Sequence, residues 1–299
     1  MRLTGLAPAK VNLFLHVGPI APDGYHPLCS LVAFADIGDL VTVEPSDHLS
    51  LEVTGPFEAL LSQPGAGAQG DNLILKALRA LGEKAGIGEP SLRVVLDKRL
   101  PVAAGLGGGS SDAGTALKLA NTILALGLDE AALEAVSSVV GADGPMCLRA
   151  RTAWAEGYGE RLSDVASFPP LHVVLVNPGI PSPTGAVYRA YDEAPRTADR
   201  PSDPLDGSIS GVIDWLAGCR NDLEAPAVAL AAGIEGALRA VAACPGVRLT
   251  RMSGSGATVF GVFDDERSAR AAAAHLNTSH ENWWIAPCVL GGSAANSSK

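Results

Sequence analysis

The chain has 299 residues, 47% of them hydrophobic and 18% charged, with a formal net charge of −10. That acidity argues against nucleic acid, whose binding rests on Lys and Arg contacts to phosphates, while the length suits two domains with a sizeable core. The 5 cysteines form no C-x-x-C pair and the 6 histidines show no ligand spacing, so no metal is assigned and reduced thiols in a cytoplasmic protein are expected.

The first element is a strand. Across Lys10 to Val17 the odd positions are apolar, which places Lys10, Asn12, Phe14 and His16 on the opposite face. A lysine there is either a solvated edge residue or a working cation. Ala7-Pro8-Ala9 imitates a cleavage site, but no apolar segment precedes it and no export signal is expected. Asp23 to Pro27 forms a loop that displays Tyr25 and His26, as a local packing pair or as a surface for a flat heterocycle. Leu28 to Phe34 reads as a second strand, Ser62 to Gly70 as an exposed turn-rich loop, and a helix is expected from near Asn72.

The run Pro101 to Gly114 joins a strand to a helix through a loop almost without side chains. Glycines let the backbone approach a ligand, and Ser110 and Ser111 supply hydroxyls where the helix starts, so the expected guest is a phosphate chain. The loop lacks the Gly-Lys-Ser/Thr of a P-loop and is a poor dinucleotide fingerprint. A flexible turn with two N-cap serines is the other reading.

Further along, Glu130 to Val140 has helical spacing, Gly141 is a natural C-cap, and Asp143 lies just beyond it, where aspartate between glycines is often a turn former. Trp154 to Gly159 opens a second half, and Leu171 to Val176 reads as a buried strand leading into Asn177-Pro178-Gly179. Asp192 to Gly211 is expected as a surface excursion and Ala225 to Cys244 as one packed helix, not a membrane span. Val247 to Val262 reads as strand, glycine turn, strand; an Arg/Ala-rich helix, a last strand and a polar tail follow.

Taken together, Pro8 to Leu15, Asp23 to His26, Asp71 to Ile74, Asp97 to Pro101, the glycine loop, Gly141 to Asp143, Asn177 to Gly179 with Thr184, Asn221 to Glu224 and Ser253 to Ala257 resemble the GHMP kinase superfamily. Within it they resemble the branch that phosphorylates a diphosphocytidyl sugar alcohol on the way to isoprenoid precursors. The resemblance implies a two-domain α+β fold with the active site in the interdomain cleft. Residues 1–153 would form the ATP-binding domain, completed by a returning strand near 284–292, and 154–283 the substrate-binding domain, with 293–299 a tail.

ATP with Mg²⁺ is implied as phosphoryl donor, with Asp143 as base and Lys10 stabilising the alkoxide. Asn72 and Lys98 would flank adenine, and Pro101, Gly105, Leu106, Gly107, Gly108, Gly109, Ser110 and Ser111 would surround the phosphates. Tyr25 would stack on cytosine, His26 bond its edge and Tyr188 cover the other face, while Asn12 and Thr184 contact the sugar alcohol or its phosphates. Ser253 to Ala257 would buttress the loop or touch the diphosphate, although a plain hairpin turn explains it as well. No membrane or nucleic-acid partner is expected, and the protein is taken as a monomer or homodimer.

Lys10, Lys98, Arg99 and a divalent cation are expected to offset the phosphate charge. Two departures stand out. Gly144 replaces a larger apolar residue, which predicts a looser backbone around Asp143, and Asp112 replaces a frequent amide, which places a carboxylate near the phosphate loop. Another superfamily kinase acting on homoserine or mevalonate, or a non-catalytic nucleotide-binding protein, are the competing readings.

Overall fold

In the computed structural model, residues 1–61, 72–165, 167–203 and 207–291 are described. The expected loop at 62–70, Asp71 and the tail from Ser293 lie outside them. Two compact units emerge. They interleave along the chain instead of meeting at one boundary near residue 153: the first comprises Met1–Lys10, Ile37–Val102 and Gly107–Ala150, and the second comprises Val11–Asp36, Ala103–Leu106 and the chain from Arg151. Two long strands cause this, because β1 (Leu3–Val17) and β2 (Leu28–Pro45) each contribute one half to either unit.

In the first unit the later half of β2 pairs antiparallel with β4 (Leu92–Asp97), and β3 (Ser50–Thr54) joins β4 in parallel. Helices α1 (Glu58–Leu61), α2 (Leu73–Ala85), α3 (Gly108–Ile123), α4 (Glu130–Ser137) and α5 (Asp143–Arg149) complete it. The alternation in Leu92 to Leu96 sends Val94 and Leu96 into a core with Val41 and Val43. Leu78 and Leu81 of α2, Leu117 of α3 and Leu133 of α4 close it. Asn72 caps α2, its Oδ1 accepting from Ile74 N at 2.9 Å, and Gly86 ends it with φ +69°.

In the second unit β5 (Ala153–Gly157) pairs with the earlier half of β2 and with β6 (Arg161–Asp164). β7 (Leu171–Asn177), apolar but for His172 and Asn177, lies between β9 (Val259–Phe263) and β10 (Trp284–Leu290), with β8 (Val247–Met252) hairpinned onto β9. The last strand, expected to return to the N-terminal domain, thus pairs along its length with β7, and its Leu290 stands opposite Ala35 of β2 within this unit. Helices α6 (Thr184–Tyr191), α7 (Ile209–Ala217), α8 (Glu224–Leu230), α9 (Ala232–Ala242) and α10 (Glu266–Ser279) surround it. Ile234 and Val241 of α9 and Leu276 of α10 pack on Val174, Val176 and Val259.

Two expectations change. The single helix over 225–244 is two helices broken at Ala231 (φ −143°), because a run of alanines buries too little surface to hold one axis and each half turns its own apolar residues inward. The excursion after Asp192 is pinned to the unit: Asp199 O bonds His16 Nδ1 at 2.6 Å, Ser202 O accepts from Trp215 Nε1 at 2.6 Å, and Arg200 lies 4.1 Å over the Trp154 ring. The cysteines meet the expectation of reduced thiols: all five are buried and free. Among the described residues no helix is long and apolar enough to cross a membrane.

Arg251 organises the second unit from inside. Burial pushes its guanidinium below its ordinary pKa, yet it donates to Leu13 O at 2.8 Å, Leu216 O at 2.9 Å and Cys219 O at 2.7 Å, tying β1, α7 and β8 together. Replacing it by Met withdraws a charged donor from three buried carbonyls, of which Leu216 O keeps only the Cys219 N–H at 2.9 Å. Arg251→Met is expected to destabilise the protein by about 3–5 kcal/mol, measured by urea denaturation.

Candidate active site

The first unit brings together the two residues to which the sequence assigned chemistry. Lys10 leaves β1 with its ammonium buried, and its Nζ lies 3.4 Å from Asp143 Oδ2, whose side chain is 43% exposed. Asp143 does not sit in a turn beyond a helix. α4 ends at Ser137, a 3₁₀ turn carries Ser138–Val140, and Asp143 opens α5, where the first-turn N–H groups favour a carboxylate.

The looser backbone expected at Gly144 is not found. Gly144 is buried against α4, and a Cβ there would come 2.1 Å from Ser137 O, so the absent side chain lets α5 pack tightly and holds Asp143 in place.

α3 rises from the glycine loop with Gly107 as its N-cap at φ +61°, in place of the serines. Ser110 is half-buried in the first turn. Ser111 is fully buried and its Oγ donates to Pro8 O at 2.7 Å, fastening the helix to β1 instead of facing the loop. A Cβ on Gly107 would meet Lys10 Cε at 3.1 Å and Cys147 Sγ at 3.2 Å, so this glycine also makes room for the Lys10 side chain. The N–H groups of Gly108, Gly109 and Ser110 open the helix, and like those of any helix's first turn they suit an anion. Pro101 and Leu106 are buried supports.

Gly105 belongs with the second unit. With φ +73°, its missing side chain leaves room for Ser253 O, which a Cβ would approach to 2.4 Å. Ser253 Oγ donates to Gly105 O at 2.9 Å and accepts from Asn12 N at 3.1 Å; the Ser253–Ala257 turn therefore buttresses the loop and is also the hairpin between β8 and β9. Asn221 Nδ2 donates to Met252 O and Gly254 O, and Glu224 Oε2 accepts from Met252 N, so the Asn221–Glu224 stretch holds that turn.

Several side chains expected at a ligand are engaged by the fold. Asn72 is a helix cap. Lys98 is buried between Asp39 Oδ2 at 2.5 Å and Asp112 Oδ2 at 2.8 Å, which takes its ammonium away from any adenine. The carboxylate expected near the phosphates is thus enclosed beneath the loop, and Arg99 pairs with Asp97 at 2.7 Å. Each of the three side-chain cations expected to offset phosphate charge thus faces a carboxylate: Lys10 faces Asp143, Lys98 faces Asp39 and Asp112, and Arg99 faces Asp97. Asn12 is buried, its Nδ2 donating to Ser30 Oγ at 2.8 Å, and Thr184 Oγ1 shares a hydrogen bond with Ser255 Oγ at 2.8 Å.

The second unit holds an aromatic cavity of about 380 Å³, in the size range of small-ligand sites, lined by Tyr25, His26, Tyr158, Tyr188, Arg189 and Asp192 among others. Two ring pairs form its walls: Tyr25 with Tyr158, centroids 5.6 Å apart, and His26 with Tyr188 at 4.9 Å. Tyr25 is 65% exposed, an unusual setting for so large a ring. The His26 ring does not offer its edge to the cavity. Nδ1 donates to Gly18 O at 3.0 Å and Nε2 lies 3.4 Å from Asp192 Oδ1. Among the described residues no hydrogen bond engages the His26 backbone N–H or carbonyl, which leaves both for a ligand.

Tyr158 was missed by sequence reading. Its signal was an aromatic isolated between Gly157 and Gly159; its hydroxyl donates to Asp23 Oδ2, which fixes the loop that carries Tyr25.

Fold and site together are those of a small-molecule kinase of the GHMP class: residues 72–150 match the GHMP kinases N terminal domain and residues 207–282 the GHMP kinases C terminal family. A 4-diphosphocytidyl-2-C-methyl-D-erythritol kinase of Caulobacter vibrioides is 49% identical over 97% of this chain and 100% of its own length. One from Methylobacterium radiotolerans is 47% identical over 96% of this chain and 99% of its own. The crystal structure of a 4-(cytidine 5'-diphospho)-2C-methyl-D-erythritol kinase superposes with a TM-score of 0.76 at 35% identity, covering 97% of this chain and 100% of that one. A homoserine kinase from Cytophaga hutchinsonii, with a TM-score of 0.70 at 14% identity over 98% of this chain and 96% of its own, shares the fold. The chain belongs to the 4-diphosphocytidyl-2-C-methyl-D-erythritol kinase family of the GHMP kinases.

Gly144 gives the site its sharpest mechanical test. Gly144→Ala is expected to force α5 away from Ser137 and to destabilise the protein by about 1–3 kcal/mol, read from urea denaturation curves.

Proposed function

We propose that this chain transfers the γ-phosphoryl group of ATP to the 2-hydroxyl of 4-diphosphocytidyl-2-C-methyl-D-erythritol. The aromatic cavity carries the reading, because a kinase for a small alcohol such as homoserine or mevalonate has no use for four rings around a flat-base-sized space. The near-complete likeness to kinases named for that substrate supports it.

Asp143 accepts the hydroxyl proton as the alcohol oxygen bonds to phosphorus and the β–γ bridging oxygen leaves with ADP. Lys10 stabilises the negative charge that develops on the attacking oxygen. The N-terminus of α3 holds the phosphate chain. Mg²⁺ would enter on the ATP phosphates, where it would neutralise charge.

Tyr25 stacks on cytosine with Tyr158 behind it, and Tyr188 closes the other side. The edge of the base falls to the His26 backbone, because the ring is engaged with Gly18 and Asp192. Arg189 on the cavity wall offers positive charge to the substrate diphosphate.

Three tests follow. Asp143→Asn is expected to lower kcat by about 10²–10⁴ while ATP affinity, measured by calorimetry, stays near wild type. ATP consumption screened against the diphosphocytidyl alcohol, homoserine and mevalonate decides the acceptor, and turnover with homoserine or mevalonate alone would refute the proposal. Tyr25→Ala is expected to remove stacking of about 1–3 kcal/mol, raising KM for the diphosphocytidyl substrate roughly 5- to 150-fold with KM for ATP unmoved.

A further inference from the structure

Beneath the glycine loop, within the first unit, three ionisable groups meet out of solvent: Asp39 on β2, Lys98 just after β4 and Asp112 on α3, exposed by 0%, 3% and 2%. Asp39 is fully served. Its Oδ2 accepts from Lys98 Nζ at 2.5 Å and its Oδ1 from Arg99 N at 2.6 Å and Leu100 N at 2.8 Å. Asp112 is not. Its Oδ2 accepts from Lys98 at 2.8 Å, while its Oδ1 is buried without a partner.

This cluster grips both ends of the loop. Asp39 holds residues 99 and 100 where the chain enters it. Lys98 Nζ lies close under Gly108, where a Cβ would come within 3.1 Å of it, and Asp112 belongs to the first turns of the helix that leaves it. Two carboxylates against one ammonium leave a buried excess of negative charge under a helix start whose N–H groups suit an anion. A proton on Asp112 removes that excess.

We propose that Asp112 is a positioning residue for the nucleotide: by carrying a proton it leaves Lys98 balanced against Asp39, keeps negative charge from under the loop, and lets the α3 N-terminus hold the ATP phosphates. The inference rests on the reading of that loop as the ATP site. Its environment agrees. Burial pushes the Asp112 carboxyl up to about 8 against the pull of Lys98, and Asp39 adds to the rise. For Lys98, burial alone acts downward, but Asp112 and Asp39 outweigh it and hold the ammonium above its ordinary value. The remaining titratable neighbour is the Cys147 thiol of α5, which burial pushes up to about 12, so it stays neutral where Asp112 titrates.

The sign follows. Below about pH 8 the acid is neutral and the loop binds; above it the carboxylate ionises and repels the phosphates. Asparagine has the shape of the protonated acid and cannot ionise. The test is calorimetric titration of a non-hydrolysable ATP analogue with Mg²⁺ from about pH 7 to about pH 9, on wild type and Asp112→Asn. Wild-type affinity is expected to fall up to about tenfold over that range relative to the variant, which removes the fall.

A wild type and variant that lose affinity in parallel overturn the inference and leave the ATP site standing. A wild type that fails to bind at any pH takes both down. Should the variant not fold, the aspartate carboxyl carbons of the wild type, followed by NMR, decide the matter. One carboxyl that titrates near pH 8 supports the proposal, and aspartates that all titrate below about pH 6 overturn it.

Discussion

One ammonium under the glycine loop sets what the rest of the nucleotide site can do. Lys98 reaches Asp39 and Asp112 from the end of β4 and so joins a strand, a loop and a helix through charge-assisted bonds in a dry place. A loop with three consecutive glycines has little stiffness of its own, and the entropy of ordering it must be met by what surrounds it. Here the loop is held from below by buried charge at its ends and, in the second unit, by Ser253 against the Gly105 carbonyl. Its middle keeps its N–H groups for a ligand.

The same economy of side chains recurs wherever backbone approaches backbone. At Gly105 and Gly144 a methyl group would collide with the backbone oxygens of Ser253 and Ser137, and at Gly107 it would crowd the Lys10 and Cys147 side chains. Each of these would displace a different part of the chemistry: the buttressing turn, the aspartate, the lysine. The glycines that first suggest a flexible phosphate loop thus act in large part as tight packing contacts, and the stiffness of the site comes from their having no side chain. Gly144 shows this best. It looks like a missing apolar residue in the sequence, but in the fold it is the point where α5 touches α4.

Periodicity and motif made much of this legible in advance. The strand face of Lys10, the helix at Asn72, the buried run Leu171 to Val176 and the hairpin around Ser253 follow from alternation, caps and turn residues, which are local properties. What escaped was set by long-range partners. Lys98 reads as a cation available to phosphate until Asp39, distant in sequence, and Asp112 take up its charge, and Arg99 until it turns to Asp97. The His26 ring reads as a base contact until Gly18 O takes its Nδ1 and its Nε2 is found 3.4 Å from the Asp192 carboxylate. Tyr158 is an ordinary turn residue until the fold sets it against Tyr25. A residue type announces what it could do; only its partners decide whether it is left to do it.

That distinction also explains how an acidic molecule can bind a polyanion. Net charge acts through the long-range field, which salt screens within about 8–10 Å, whereas a phosphate chain at a helix start feels the groups within a few ångströms. In this chain most of the charge near the loop cancels in buried or local pairs. The remaining directed contributions are the N–H groups of α3 and the Lys10 ammonium, itself faced by a partly exposed Asp143. The arrangement suits phosphoryl transfer, because a site with too much fixed positive charge would hold the nucleotide equally well before and after the reaction. A neutral loop with one lysine places its attraction on the charge that develops at the attacking oxygen, and it is there that stabilisation lowers the barrier.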